Sequence, residues 1–135
     1  MVDEHEATLN LSDTYRSRIQ AYFDAIDDGR VEDAIERLHP EVTWSHMQVW
    51  QADPDQPTHR RTHQGREAVA SVLRAYQQSS EADRNVSHEV REILVDGDRC
   101  AFLGAVVGPE RTFPMFGWVT FDDELIRRYV AGPRP

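Results

Sequence analysis

The sequence has 135 residues with 15 basic and 24 acidic side chains, so its formal net charge is −9. A chain of this length forms one domain with its own core, and a single cysteine, Cys100, excludes an internal disulfide. No stretch approaches the ~20 apolar residues of a membrane span, and the acidic N-terminus MVDEHEATLN is unlike a basic signal peptide. We therefore predict a cytoplasmic protein that binds neither membranes nor nucleic acids, because the sequence has no basic stripe.

The basic residues are unusual because all 15 are arginine and lysine is absent. Two explanations account for this bias: GC-rich coding, which favours arginine codons, or life in molar salt, where acidic surfaces stay hydrated and the Debye length falls to about 3 Å. The excess of aspartate over glutamate and the mean hydropathy of −0.65 favour a halophilic origin. We assign the acidic excess to helix exteriors and turns, and therefore to solvent adaptation instead of substrate recognition.

The first half of the chain predicts three helices. Residues 1–11 carry charges without an apolar stripe, so we expect a flexible acidic arm followed by a single domain over residues 12–135. The first helix begins at the N-cap Ser12 and ends at Gly29, the second is closed by a proline, and the third follows Gly65. Apolar residues recur at helical spacing in these segments: Tyr15, Ile19, Tyr22, Phe23 and Ile26; Val31, Ala34, Ile35 and Leu38; and Val69, Val72, Leu73 and Tyr76.

Alternating β-formers predict six strands separated by turn residues. The predicted strands are residues 42–46, 61–63, 86–95, 100–107, 112–121 and 125–131. The inward face of the first holds Val42, Trp44 and His46, and that of the fifth holds Phe113, Met115, Gly117 and Val119, with Phe116 and Trp118 facing the opposite way. Gly117 lacks a side chain, which we expect to enlarge the interior. Helices first and strands last predict an α+β fold.

The order and spacing of four segments resemble the nuclear-transport-factor-2-like superfamily, which includes ketosteroid isomerases and SnoaL-type polyketide cyclases. These segments are residues 22–29, 38–42, 65–69 and 121–126. The resemblance implies a cone, in which a curved and mostly antiparallel sheet wraps over about three N-terminal helices, as in the cystatin-like α+β barrel. It also implies one apolar pocket per chain and a homodimer formed through the sheet.

The resemblance also suggests site residues. Tyr22 falls where a ketosteroid isomerase has the tyrosine that hydrogen-bonds the developing oxyanion, and His46 falls at the position of the general-base aspartate. The third member of that site, a protonated acid, aligns near Gly117, which has no side chain to donate. We predict His46 as the base and Tyr22 as the hydrogen-bond donor. Simple core packing of either residue is the alternative.

Further residues are predicted to line the pocket and bind the ligand. Trp44 shares the face of His46, and its apolar ring would lower the pKa of that imidazole. His63 lies two residues before Gly65 and is expected to point into the same pocket. The remaining predicted ligand contacts are Phe113, Met115 and Tyr129, the last of these by resemblance to the superfamily.

Neither a cofactor nor a metal is predicted. The sequence contains no phosphate-binding glycine loop, no nucleophile elbow and no CxxC motif. His46, His59 and His63 could converge as three imidazole ligands for zinc. No carboxylate or thiol stands near them in a ligand spacing, so we predict no metal site.

Three functions fit these residues. The first is a cofactor-free isomerase, cyclase or hydrolase that moves a proton on a small hydrophobic molecule with a carbonyl group. The second is a non-catalytic module that holds such a molecule, and the third is an interaction module whose dimer surface includes Trp118. A carboxylate beside His46, for instance from residues 53–55, would favour catalysis, whereas a wholly apolar surround would favour binding.

Overall fold

The computed structural model describes residues 4–47, with side chains from residue 10 onward, together with residues 60–79 and 85–134. Its elements are α1 (Glu4–Asp27), α2 (Val31–Glu36), β1 (Leu38–His46), β2 (Arg61–Gln64), α3 (Arg66–Gln77), β3 (Ser87–Asp96), β4 (Arg99–Val107), β5 (Thr112–Asp122) and β6 (Leu125–Pro133). The prediction of an α+β fold with three helices is confirmed.

The six strands form one curved, unclosed sheet in the order β2-β1-β6-β5-β4-β3. Neighbouring strands are antiparallel except β1 and β6, which are parallel. The helices cover one face of this sheet and bury the apolar stripe of α1, in which Ile19 and Tyr22 have no exposed surface. No helix among the described residues is long and apolar enough to cross a membrane.

Helix α1 covers the edge strand β3 and satisfies its unpaired backbone groups. The backbone N–H of His88 donates to Asp27 Oδ2 at 2.7 Å, and that of Val90 donates to Gln20 Oε1 at 2.9 Å. The Gln20 amide in turn donates to the carbonyl of His88 at 2.6 Å. Because an edge strand exposes such groups to other chains, these contacts protect the edge and fix the C-terminal half of α1 against β3.

Two element boundaries differ from the prediction. Helix α1 begins at Glu4, so the prediction that the first helix begins at an N-cap at Ser12 is wrong. Residues 4–11 are rich in the strong helix formers Glu, Ala and Leu, which suffice without an apolar stripe. The segment predicted to end α2 instead starts β1, where the pairing with β6 is irregular between Leu38 and Thr43 and accommodates Pro40.

The predicted alternation of β5 is confirmed, but the predicted effect of its glycine is wrong. Met115 and Val119 are buried, whereas Trp118 is 39 % exposed on the opposite face. A Cβ atom on Gly117 would lie 2.3 Å from the Phe102 ring, which belongs to the directly paired residue of β4. The ring of Phe102 occupies the space that the missing side chain leaves, so Gly117 permits close packing and does not enlarge the interior.

Candidate functional site

A cavity of about 110 Å³ lies between the C-terminal half of α1, helix α3 and the sheet. We call it the inner cavity. The aromatic and imidazole groups on its wall are Tyr22, Phe23, Trp44, His46, Tyr76, His88 and Tyr129. The other wall residues are Ile26, Met47, Val72, Leu73, Val106, Met115 and Gly132. Five residues that the sequence analysis selected therefore meet at one site, namely Tyr22, Trp44, His46, Met115 and Tyr129.

Tyr22 and Trp44 are joined by a buried hydrogen bond. The helical stripe of α1 brings Tyr22 inward, and the alternation of β1 brings Trp44 to the same face of the sheet. The indole Nε1–H of Trp44 donates to Tyr22 Oη at 3.0 Å. Burial raises the pKa of Tyr22 far above its usual range, so its hydroxyl group keeps its proton. Because the bond from Trp44 uses a lone pair on the oxygen, the phenolic proton remains available for a ligand oxygen.

His46 is a neutral imidazole at this site. Its ring stacks on Trp44 with a centroid distance of 5.0 Å. Burial, and after it the charges of His88 and Arg60, lower the pKa of His46 to about 4. An imidazole with this pKa is uncharged at neutral pH and accepts a proton only weakly.

Tyr129 completes the aromatic wall next to Tyr22 and Trp44. Its ring is 5.5 Å from that of Tyr22 and 5.8 Å from that of Trp44, between ring centroids, with the Trp44 pair nearly parallel at 12°. Burial, with smaller effects of Tyr22 and Asp27, raises the pKa of Tyr129 well above its ordinary value. Both tyrosines therefore present neutral hydroxyl groups.

One wall residue of the inner cavity, His88, belongs to a carboxylate–imidazole pair that was not predicted from the sequence. Asp27 Oδ1 lies 2.7 Å from Nδ1 of His88, while Asp27 Oδ2 accepts the backbone N–H of the same residue. The side chains of Asp27 and His88 are only 10 % and 17 % exposed. The His88 ring also stacks on Phe23 at 5.0 Å. This geometry favours a proton on Nδ1, donated to Asp27, which leaves Nε2 as the proton-accepting nitrogen.

Two other predicted ligand contacts lie away from the wall of the inner cavity. His63 pairs with Trp44 across β1 and β2, and its ring centroid is 5.9 Å from that of Trp44. Phe113 is half-buried near the start of β5, with the guanidinium of Arg111 4.9 Å from its ring centre. Neither is among the described wall residues.

The alternatives that depended on the segment between β1 and β2 remain predictions. His59 and residues 53–55 lie outside the described part of the chain. Within residues 4–47, 60–79 and 85–134, no group of three His, Cys, Asp or Glu side chains is arranged to hold a metal ion.

The family model of the SnoaL-like domain matches residues 19–129. The chain belongs to the SnoaL-like domain family. The match begins within α1 and ends in β6, so it includes every element that surrounds the inner cavity. The resemblance to the nuclear-transport-factor-2-like superfamily is thereby confirmed, and this SnoaL-like protein shares a family fold with isomerases, cyclases and epoxide hydrolases.

Solved structures agree on the fold. An NTF2-like protein from Burkholderia pseudomallei is similar with a TM-score of 0.65 and 14% identity, covering 90% of this chain and 91% of that one. TerC, co-crystallised with polyporic acid, has a TM-score of 0.64 and 20% identity over 87% of this chain and 89% of that one. An LEH-like epoxide hydrolase from M. tuberculosis has a TM-score of 0.61 and 16% identity over 91% and 84%. A comparison with curated protein sequences finds no match.

Proposed function

We propose that this SnoaL-like protein is an enzyme that catalyses cofactor-free proton transfer on a small, apolar molecule with a carbonyl group. The Asp27–His88 pair carries this proposal, because it holds an imidazole in a fixed orientation on the wall of a mostly apolar cavity. A carboxylate that binds one ring nitrogen orients the other as a base, and it stabilises the imidazolium that forms. His88 Nε2 therefore takes a proton from the carbon next to the carbonyl group.

Tyr22 is the proposed partner of this base. Removal of the proton gives an enolate, whose oxygen needs a hydrogen-bond donor in a water-poor site. Tyr22 lines the same cavity, and its hydroxyl oxygen accepts the indole N–H of Trp44, so the phenolic proton is left to donate to the enolate. The proton on His88 then returns to the same carbon or to another one, so the reaction is an exchange or an isomerisation.

The role of base, which the resemblance suggested for His46, passes to His88 in this proposal. His46 has a pKa of about 4, lowered by burial above all, which makes it a poor base at neutral pH. Its neutral ring remains stacked on Trp44 and can form a hydrogen bond with a ligand. His46 is therefore proposed as a binding residue.

The cavity volume and the structural relatives support a small organic ligand. A volume of about 110 Å³ is less than that of an engineered cavity of roughly 150 Å³ that takes up benzene. The reacting part of the substrate therefore consists of a few heavy atoms. TerC with polyporic acid and the LEH-like epoxide hydrolase are relatives of the same fold that are named for organic ligands or for chemistry on them.

Hydrogen–deuterium exchange tests the proposed reaction. The protein is incubated with short ketones in D₂O, and the loss of the signal from hydrogens next to the carbonyl group is followed by NMR. We expect protein-dependent exchange that falls by about a hundredfold or more in His88→Phe, which keeps a ring against Phe23 but removes the base. His88→Gln, which retains a donor for Asp27, should lose a similar factor.

The matched control is His39→Gln. His39 is also paired with a carboxylate, with Nε2 3.2 Å from Asp122 Oδ2, but it is not among the described wall residues. Its replacement should leave the exchange rate unchanged. Full exchange in both folded His88 variants would refute the proposed base. Ketones that bind to His88 without any exchange would instead support the non-catalytic binding function.

We also propose that two copies pair through the uncovered face of the sheet. The strand register puts Leu94, Ala101, Trp118 and Val130 in one row across β3, β4, β5 and β6. Leu94 is 78 % exposed and Trp118 is 39 % exposed on this row, and such apolar surface is typical of an interface. Light scattering after gel filtration should give twice the chain mass, and Trp118→Ala should yield a folded monomer. A monomeric natural protein would contradict this second proposal.

A further inference from the structure

A second cavity of about 250 Å³ adjoins the inner cavity near the C-terminal end of α1. We call it the outer cavity. Its wall includes Asp27, Gln77 and Asn85, and it shares Ile26, Leu73 and Tyr76 with the inner cavity. These three shared side chains are the partition between the two volumes. A molecule that occupies both cavities would have to pass this partition.

The carboxylate–imidazole pair crosses the same boundary. His88 is a wall residue of the inner cavity, whereas its partner Asp27 is a wall residue of the outer cavity. A ligand whose reacting part lies beside His88 would thus have its other end close to Asp27. The two volumes differ in function on this basis: the inner one holds the part that reacts, and the outer one holds the part that is recognised.

The charge around the outer cavity decides which chemical groups at the end of a ligand can bind there. The described walls of both cavities contain no arginine, and Asp27 is their carboxylate. Gln77 uses one of its two amide N–H groups to bind the carbonyl of Gly29 at 2.8 Å, and its side-chain oxygen is an acceptor. An anionic group here would face the Asp27 carboxylate with no arginine on the described walls to offset it, which is unfavourable in a partly buried site. A hydroxyl or ammonium group would instead find acceptors.

We propose that the two cavities form one bipartite site for an elongated, neutral or cationic molecule. Its apolar end occupies the inner cavity, and its hydroxyl or amine end binds beside Asp27 and Gln77 in the outer cavity. This inference rests on the proposed function, because it takes the inner cavity as the place where the substrate reacts. It also narrows the substrate class, since it excludes ligands that end in a carboxylate or phosphate.

A series of unbranched probes tests both the length and the charge. 1-Hexylamine, 1-hexanol and hexanoate share one carbon skeleton, and 1-propylamine and 1-propanol are too short to cross the partition. Binding is followed by NMR shifts of His88 and Asn85, one residue for each cavity. We expect the six-carbon amine and alcohol to bind about tenfold or more tightly than their three-carbon homologues, because each buried methylene group adds to affinity. Hexanoate should bind about tenfold or more weakly than hexylamine.

Three variants make the test specific. Val31→Phe adds a ring to the wall of the outer cavity, so hexylamine should then bind no better than propylamine. Leu11→Phe adds a ring at an exposed position in the first half of α1, outside the described walls of both cavities, and should change nothing. Asp27→Asn should raise the affinity for hexanoate about tenfold, because the opposing charge is gone.

Three results would overturn the bipartite site: unchanged hexylamine binding in folded Val31→Phe, equal binding of hexanoate and hexylamine, or shifts confined to His88. Exchange of a short ketone reports separately on the proposed reaction, because that substrate needs only the inner cavity. In the natural protein, equal binding of the three-carbon and six-carbon probes together with intact exchange of a short ketone would therefore refute the bipartite site and leave the proposed reaction standing.

Discussion

The two ends of the buried stripe of α1 use aromatic rings for opposite purposes. At one end, which we call the turn end, Tyr15 stacks on Phe121 at 4.6 Å and donates its hydroxyl proton to the carbonyl of Gly97 at 2.8 Å. At the other, the cavity end, Tyr22 is also buried and also contacts a second ring, that of Tyr129. The first hydroxyl group donates to protein, whereas the second accepts from Trp44 and still has a proton to give.

This difference shows what separates a core from a site in this fold. Aromatic content and burial are similar at both ends, so neither identifies the site. At the turn end, rings pack on rings or on backbone. At the cavity end, imidazole and phenol groups surround an open volume. Unused hydrogen-bonding capacity beside a cavity is therefore the useful signal, and the following substitutions compare the two ends.

The largest difference is expected from shortening a buried side chain. Phe102→Ala should lower the free energy of unfolding by about 3–5 kcal/mol, because it opens a void in a close-packed region. Met115→Ala removes a wall of the existing inner cavity and should cost about 2 kcal/mol, near the lower limit for such changes. Urea denaturation measures both. Equal losses would mean that the side chains around Phe102 and those around the inner cavity are packed equally closely.

Acid should destabilise the cavity end through His46. Its pKa is about 4 in the folded protein, mainly because of burial, and about 6.5 in the unfolded chain. Between these values the unfolded chain binds a proton that the folded protein does not, so stability falls as the pH drops from about 6.5 towards 4. The loss should reach about 3 kcal/mol by the lower limit.

Urea denaturation of His46→Phe alongside the natural protein isolates this contribution. The substitution keeps a ring against Trp44, and the acid-dependent loss should shrink by the amount assigned to His46. All other ionisable side chains are the same in the two proteins, so their contributions cancel in the difference. Parallel pH profiles for the two proteins would contradict a neutral, buried His46.

The two tyrosines should differ by a smaller amount. Tyr22→Phe leaves the buried indole N–H of Trp44 without an acceptor and should cost about 1–3 kcal/mol of unfolding free energy. Tyr15→Phe removes a donor from the carbonyl of Gly97, which water can reach in its turn, and should cost about 0.5–1.5 kcal/mol. The double variant Tyr22→Phe with Trp44→Phe should lose less unfolding free energy than the two single variants lose together, because the second substitution has no hydrogen bond left to break. A double-mutant cycle without coupling would exclude a stabilising Trp44–Tyr22 bond.

The smallest effect is expected from salt, which should act on neither end in particular. If the net charge of −9 and the absence of lysine reflect adaptation to molar salt, the unfolding midpoint should rise from low salt to molar salt. Thermal unfolding at several NaCl concentrations measures the change. A flat profile would favour GC-rich coding as the origin of the arginine bias.

The fold could be predicted from the sequence because its periodicities are local. The apolar stripe of α1 and the alternation of β5 both appear in the structure with the predicted inward faces. The helical start at Glu4 could not be inferred from a stripe, because the first turns of α1 have none. Gly117 was misinterpreted because its neighbour across the sheet, Phe102, cannot be identified before the strand register is known.

The site could be predicted only in part. Tyr22, Trp44 and His46 follow from local spacing and from resemblance, but the Asp27–His88 pair joins residues 61 positions apart. Asp27 looks like an ordinary helix end in the sequence, and His88 looks like an ordinary strand residue. Their contact depends on which strand forms the edge beside α1. One local signal was present, since Phe23 and Asp27 are four residues apart on one helix face, and both contact His88.

The position of the proton on His88 tests the proposed base most directly. Two-bond ¹H–¹⁵N correlation spectra of histidine-labelled protein distinguish a protonated ring nitrogen from a free one, and His88→Gln identifies the His88 signals. We expect the neutral ring to have its proton on Nδ1, toward Asp27, with Nε2 unprotonated, and Asp27→Asn should weaken this preference. A neutral His88 with its proton on Nε2 would contradict the proposal that this nitrogen is the base.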